Sequence, residues 1–493
     1  MISEHLPALQ VVAPLISAPL IVLIRRQSFA WFLATAVSWA AFAIALTLAW
    51  RVAEHGAISY AIGSWPPPWG IEYRVDLLSA FLLVLVSGTG AVVMPYARVS
   101  IAAELPREQE YLFFAMYCLC LAGLLGIAIT GDAFNLFVFL EISSLSTYVM
   151  IALGQKRKAL VAAYHYLIMG TIGATFYVIG VGLLYLMTGT LNLADLAARL
   201  PAVNETRSVL AAIAFITVGI GLKLALFPLH QWLPNAYVSA PSVVTAFLSA
   251  TATKVSVYVL LRFYFTVFGV EVLFRDHPVD KLLIALSIAA VLTMSLVALF
   301  QRDLKRMFAY SSVAQIGYIT LGIGLANASG LTGAVAHLFN HGITKGALFL
   351  LAGGVALRCG GTDFASLSGL SRRMPLTAFG IVLAGLSLIG IPGTAGFTTK
   401  WYLISGALER GSWWLAVLIV VTSLIAVAYV WRFVEVAYLQ APGPDAPRRG
   451  EMPLSMLIPA LLLVAACIYF GLETSFNIGY ARDAVARLLP GAG

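Results

Sequence analysis

Five ionisable side chains lie inside long apolar stretches of this chain, where a bilayer segment should carry no charge: Glu141, Lys223, Lys254, Lys345 and Lys400. An ionised group at mid-membrane costs about 2.5–3.5 kcal/mol even on the lenient insertion scale. Such residues point to proton or ion movement. Glu141 follows Asp132 by nine residues, which places it ~13 Å along a helix, near mid-bilayer. Burial favours the neutral form of a carboxyl or an amine, and a facing opposite charge favours the ionised form, so a Glu–Lys pair can switch between the two. Lys223, five residues before Pro228, is the expected partner; a fixed salt bridge holding two helices together is the alternative. Lys254 stands thirteen residues past Pro241, ~20 Å along its helix and too deep to snorkel to the surface.

His337, His341 and Lys345 recur every fourth residue, beside Asn340 and Thr344. That spacing puts three titratable groups on one helical face over ~12 Å, fit for a proton relay through water. Hydrogen-bonded packing histidines are the alternative. Zinc is disfavoured, because His337-Leu-Phe-Asn-His341 lacks the metalloprotease glutamate. Lys400 would be the last site of a lateral chain. His165 and His230 are weaker candidates: His230 abuts Pro228 and can instead satisfy backbone carbonyls freed there, while His165 stands alone on its helix, where a hydrogen-bonded interior histidine is the alternative. Arg432 and Glu435 lie about one turn apart and read as a structural pair.

These groups need a membrane scaffold, and the composition supplies one. Hydrophobic residues make up 61% of the chain and charged residues 11%, with mean hydropathy +0.92. This is an all-α polytopic membrane protein. The net charge of +8 implies no nucleic acid, since the basic residues form short clusters between apolar runs. Cys118, Cys120, Cys359 and Cys467 show no CxxC spacing, so neither a disulfide framework nor a metal cluster is indicated.

Apolar runs predict fourteen helices, near 6–24, 28–50, 76–97, 111–130, 133–153, 160–188, 208–229, 241–266, 279–300, 306–325, 331–357, 375–402, 412–438 and 453–472. Gly131-Asp132 is the break that separates the fourth from the fifth, with Asp132 as N-cap. The first basic residues, Arg25 and Arg26, follow the first run, so that run is expected to stay as a helix and not act as a signal peptide. An even count puts both termini on one side. Arg25-Arg26, Lys156-Arg157-Lys158, Arg302/Lys305/Arg306, Arg372-Arg373 and Arg448-Arg449 then share the other side, which the positive-inside rule makes cytoplasmic. Both termini are expected to face outward from the cytoplasmic (inner) membrane of a prokaryote.

Two runs are interrupted, the seventh at Pro228 and the twelfth at Pro392-Gly393 and Gly396. Each is the fourth of a block of five helices, 111–266 and 279–438. An odd number forces the second block through the membrane in the opposite sense. The expectation is therefore two inverted five-helix repeats, each with a broken fourth helix near a translocation site. Residues 1–110 supply three framing helices, and 453–493 a last helix with a short tail. Two ordinary proline kinks are the alternative.

The strings Lys223-Leu-Ala-Leu-Phe-Pro-Leu-His-Gln-Trp-Leu-Pro-Asn-Ala-Tyr237 and Gln301-Arg-Asp-Leu-Lys-Arg-Met-Phe-Ala-Tyr-Ser-Ser-Val-Ala-Gln-Ile-Gly-Tyr318 resemble the antiporter-like subunits shared by respiratory complex I and the Mrp-type multisubunit cation/proton antiporters. The resemblance spans roughly 111–438 and implies fourteen helices with two inverted repeats. Through it, Glu141 matches the fifth-helix glutamate, Lys223 its seventh-helix partner and Lys254 the eighth-helix lysine. His337, His341 and Lys345 match the polar eleventh helix, and Lys400 the twelfth-helix basic site. His165 stands where relatives often carry lysine. One complex I relative has glutamate in place of Lys400, and another a long lateral helix where only about twenty residues follow the last run here. The D-type subunit of an Mrp antiporter and the shorter complex I subunit with lysine at both broken helices remain, and the stretches Lys223–Tyr237 and Gly390–Trp401 look most like the first.

The resemblance implies a proton-translocating subunit of a multisubunit monovalent cation/proton antiporter. Protons would enter near Lys223 and Lys254, pass along His337–Lys345 and leave near Lys400, with Glu141–Lys223 as a switch. Its partners would be other membrane subunits, protons, Na+ or K+, and lipid, with no nucleic acid. No nucleotide, flavin, iron–sulfur or quinone motif is recognisable, so no cofactor is expected and the chain reads as a secondary transporter subunit. The rival is an antiporter-like proton-pumping subunit of a redox enzyme, complex I or a membrane-bound hydrogenase.

Overall fold

A computed structural model describes residues 2–154, 157–442 and 450–489. Lys156, Arg448 and Arg449, three of the basic loop residues, lie outside the described residues. Among those described, thirteen helices are long and apolar enough to cross a membrane. The run near 375–402 is the fourteenth segment, divided into Pro375–Ile389 and Ala395–Glu409.

Polar N-caps set several helix starts. Asp132 accepts from Asn135 N at 2.6 Å and opens the helix Ala133–Ala152, as its spacing predicts. Asp76, Asp303 and Asn327 do the same for Leu77–Glu104, Leu304–Leu325 and Ala328–Cys359. Each such cap contributes about 1 kcal/mol.

The long helix Ala328–Cys359 is the axis of the bundle, buried from Gly330 to Val355 and packed against Ser242–Leu261, Leu304–Leu325, Ala395–Glu409 and Leu454–Leu472. Outer helices such as Leu6–Ile24, Gln27–His55 and Val279–Leu299 bury one face and turn apolar side chains outward, including Leu23, Phe32 and Leu282. That division is what a bundle in lipid requires.

Both broken segments end their first half by the same device. Arg207–Leu224 closes at Ala225 (φ +61°), and Leu226 N donates back to Gly221 O at 2.8 Å. Pro375–Ile389 closes at Gly390 (φ +88°), and Ile391 N donates back to Leu386 O at 3.1 Å. These are left-handed C-caps with six-to-one hydrogen bonds. The breaks therefore begin three and two residues before Pro228 and Pro392; the prolines occupy the linking turns and do not kink a continuous helix. Short helices resume the path at Trp232–Ser239 and Ala395–Glu409.

Ser3 and Tyr480, close to the two termini, lie on one face. Arg51 Nη1 donates to Ser3 O, and Tyr480 OH to Ala49 O at 2.9 Å. On the opposite face Gln27 reaches Arg107 O, Lys305 reaches Ser242 Oγ, and Arg358 reaches Glu451 O. The structure also contains elements too short to appear as apolar runs. An antiparallel hairpin pairs Ile58–Ala61 with Glu72–Val75, Ile58 opposite Val75, and an amphipathic helix, Tyr480–Leu488, turns back onto the termini face.

Candidate functional site

The first pair assembles as expected. Lys223, in the last turn before the Ala225 cap, points its Nζ to Glu141 Oε1 at 3.2 Å and to Ser144 Oγ at 2.7 Å. Lys223 is buried, whereas the Glu141 side chain is 23% exposed, so the carboxylate stands at the edge of the bundle. Trp232 Nε1, from beyond the break, donates to Leu222 O at 2.9 Å, a last-turn carbonyl that otherwise accepts only the 3.3 Å bond from Ala225 N. A cavity of about 20 Å³ lies beside Lys223, walled partly by Ser143, Ser144 and Ser256; this suffices for one water. It adjoins the helix Ser242–Leu261, which carries Lys254.

Lys254 is 1% exposed and donates to Ser249 O and, at 3.3 Å, to Thr253 Oγ1. Its helix meets the axial helix where Ala250 faces Gly342 and Gly346; a Cβ at Gly342 would stand 2.9 Å from Ala250 O. That close approach brings the lysine's neighbourhood against the stretch between His341 and Lys345.

On the axial helix His337 is held at both nitrogens, Nδ1 at 2.8 Å from Thr399 Oγ1 and Nε2 at 2.9 Å from Gln315 Oε1. His341 stacks on it, ring centroids 5.5 Å apart and 3° from parallel, yet both His341 nitrogens are buried with no hydrogen-bond partner. Lys345, 0% exposed, donates to Phe308 O at 2.8 Å and Ser311 Oγ at 2.5 Å. The three titratable groups thus share one face, as their spacing requires.

Lys400 lies in the second half of the broken twelfth segment. Its Nζ reaches back to Ile389 O at 2.7 Å, to Leu388 O at 3.4 Å and to Ser423 Oγ at 2.8 Å, and it sits 4.9 Å from the centre of the Tyr318 ring. It therefore caps the last carbonyls of the first half. Gly396 makes this approach possible, because a Cβ there would fall 1.8 Å from Ser387 O.

Two expectations are corrected, those for His165 and Arg432. His165 is not an interior residue; it is exposed on the outer side of Arg157–Thr188, against the Tyr164 ring, apart from the buried row. His230 is buried and stacked on Phe227; its Nδ1 has no partner, but the ring hydrogen-bonds the Pro228 backbone, in keeping with the alternative that it satisfies a carbonyl freed at the break. Arg432 does not pair with Glu435: its Nη1 donates to Leu299 O and Gln301 O at 2.8 and 2.7 Å, closing the end of Val279–Leu299. A helix end with free carbonyls competes well for a guanidinium.

Residue-type reasoning passed over Ser144, Gln315, Thr399 and Ser423, which hold Lys223, His337 and Lys400. Gln315, a lone amide in an apolar run, was the one visible signal among them. Among the described residues no three His, Cys, Asp or Glu come together as a metal set.

The electrostatics are unbalanced. Lys223 has a carboxylate, while Lys254, Lys345 and Lys400 bond only neutral oxygens. In a dry interior like charges repel strongly, so a proton on one lysine opposes a proton on the next. A row of this kind can pass a proton along when the charge at one end changes.

The family described as NADH:quinone oxidoreductase/Mrp antiporter, transmembrane, matches residues 130–426. The chain is 44% identical over 504 residues to NADH-quinone oxidoreductase subunit N of Desulforudis audaxviator, covering 99% of each. It is 31% identical over 450 residues to the D-type subunit of the Na(+)/H(+) antiporter of Alkalihalophilus pseudofirmus, covering 90% of this chain and 89% of that one. Among solved structures, a chain of the Mrp complex from a Dietzia species superposes with TM-score 0.91 at 27% identity, covering 100% of this chain and 98% of its own. This protein belongs to the NADH:quinone oxidoreductase/Mrp antiporter transmembrane family.

Proposed function

We propose that the chain is the proton-translocating subunit of a multisubunit monovalent cation/proton antiporter of the Mrp type, resembling the D-type subunit of such complexes. The observation that carries this reading is the buried row Lys223, Lys254, His337, His341, Lys345 and Lys400, closed at one end by Glu141. Six polar groups held at such cost serve transport better than stability. Protons enter near Lys223 and Lys254, cross by way of the histidine stripe and leave near Lys400. Separation of Glu141 from Lys223 sends the Lys223 proton onward. His230, beside the first break, is a candidate entry residue.

In this reading 111–266 and 279–438 are inverted repeats that frame the two breaks. The helices before 110 and after 453 enclose them. The protein works in the cytoplasmic membrane of a prokaryote, with both termini outward and the Arg25, Lys305 and Arg372 face in the cytoplasm. Its partners are further membrane subunits, and Na+ or K+ is the exchanged ion. The test is Glu141→Ala in the intact complex, followed by cation-dependent proton movement in vesicles. Loss of movement with assembly intact supports the switch, and activity equal to the parent removes it.

A second reading places the same row in a redox-driven complex, and the 44% identity to a subunit so named favours it. Purification of the native complex separates the two: hydrophilic iron–sulfur partners mean redox drive, and small membrane partners alone mean antiport.

A further inference from the structure

The chain after the last membrane helix does not simply trail off. Past Leu454–Leu472 it makes a tight turn, Ser475–Gly479, that re-enters the bundle. Asn477 at its centre is 0% exposed. Its Nδ2 donates to Phe470 O and to Asn340 Oδ1, both at 2.9 Å, and its Oδ1 accepts from Ile478 N. Asn340 lies on the axial helix between His337 and His341, and its own Nδ2 donates to Ala395 O at 2.8 Å. Ala395 is the first residue of the half-helix that carries Thr399 and Lys400. Two side-chain amides thus connect the C-terminal turn to the start of the second broken half.

Every other contact of the turn fixes it in place. Phe476 packs with Phe81, Phe339 and Tyr480 at centroid distances of 5.7, 5.4 and 5.1 Å. The helix Tyr480–Leu488 buries Ala481, Ala484, Val485 and Leu488. A cleft of about 320 Å³ separates the turn from the half-helix elsewhere, bounded by Phe397, Thr398, Trp401, Tyr402, Thr474 and Ile478. The amide pair is therefore the polar tie between the turn and the half-helix, beside the close apolar approach of Gly471 to the Thr394 backbone. Capping the Phe470 carbonyl alone would need one N–H; the second is spent on Asn340.

We propose that the re-entrant C-terminal turn is a clamp on the second broken helix, with Asn477 the positioning residue that sets, through Asn340, where the half-helix bearing Thr399 and Lys400 begins. Thr399 holds His337, and Lys400 holds the first half's last carbonyls. Loss of the clamp moves both ends of the final proton transfer relative to each other. The inference rests on the transport reading above.

The experiment uses the intact complex in membrane vesicles, with proton movement measured across pH for the parent, Asn477→Leu, Asn477→Gln, Asn340→Asp and Lys400→Ala. Leucine matches asparagine closely in size but has no donor. It should lower transport by roughly ten- to hundredfold and move the pH optimum, whereas glutamine restores most of the parent profile. Asn340→Asp keeps the acceptor for Asn477 and loses the donor to Ala395, so it should reproduce the leucine profile; it decides the matter if the leucine variant does not assemble. A parent-like profile for Asn477→Leu or for Asn340→Asp, or equal impairment by leucine and glutamine, overturns the clamp. Undiminished transport by Lys400→Ala would instead overturn the transport reading itself.

Discussion

Lys400 Nζ lies 2.7 Å from the carbonyl oxygen of Ile389, so the lysine of one half-helix closes the end of the other. A protonated amine there stabilises free carbonyl dipoles, and a neutral one releases part of that grip. The break is therefore sensitive to the charge state of the residue that spans it.

Lys400→Ala should abolish this coupling. Proton movement in vesicles containing the assembled complex is expected to fall by about a hundredfold or more, the usual contribution of a positioned proton carrier. Lys400→Arg should not restore it, because a guanidinium does not give up its proton. Transport by the arginine variant at the parent rate would count against proton transfer at this site.

The Glu141–Lys223 pair separates structure from transport in a double-mutant cycle. Lys223→Leu leaves a carboxylate beside apolar helices and should destabilise the complex by about 1–3 kcal/mol. Adding Glu141→Gln should recover much of that loss, read as the melting temperature in detergent. Transport should stay abolished in the double variant. Recovery of both properties together would mean that the pair is only a brace.

His337 and His341 should divide cleanly. His337→Ala strands the Gln315 amide oxygen in a buried site, a loss of about 1–3 kcal/mol, while Thr399 keeps its bond to Gly396 O at 3.0 Å. His341→Ala removes no protein hydrogen bond, only the packing of a buried, stacked ring, and should shift melting less than His337→Ala while losing transport. Equal thermal shifts for the two variants would contradict the geometry.

Gly396→Ala should be the most damaging small change near the second break. The added carbon has 1.8 Å to Ser387 O, a backbone atom that cannot step aside. Overpacking of this kind typically costs about 1–3 kcal/mol and occasionally more. The expected result is a poorly assembled complex, measured as yield after solubilisation, and normal yield would show that the two half-helices are less tightly joined.

On the termini face Asp76 caps Leu77–Glu104 and pairs with Arg262. Burial pushes the Asp76 carboxyl up, but the Arg262 guanidinium more than offsets this and holds it at about 2, below the usual 3.8. A lowered value means that the ionised form is tied to the folded state. Its contribution, roughly 2 kcal/mol, is complete above pH 4 and lost as pH falls toward 2. Asp76→Asn keeps the cap acceptor and should remove this component, so its melting temperature should fall less steeply than the parent's as the buffer is taken from pH 5 to pH 3.

Covalent spacing alone determined much of this protein. Fourteen segments, the Asp132 cap, the two interruptions and the common face of His337, His341 and Lys345 all follow from local rules of helix length, capping and period, which do not depend on neighbours. The same rules place Glu141 and Lys223 at compatible depths. Packing decided the rest. Helical period says which residues share a face, but in lipid an apolar flank is equally content inward or outward, so the sequence could not show that His165 faces out. Nor does it show that Arg432 prefers the carbonyls of Leu299 and Gln301 to Glu435, or that Gln315, Thr399 and Asn477 arrive from distant segments to hold the row. Buried polar atoms take whichever partners the fold brings within reach, and those partners exist only once the helices have docked.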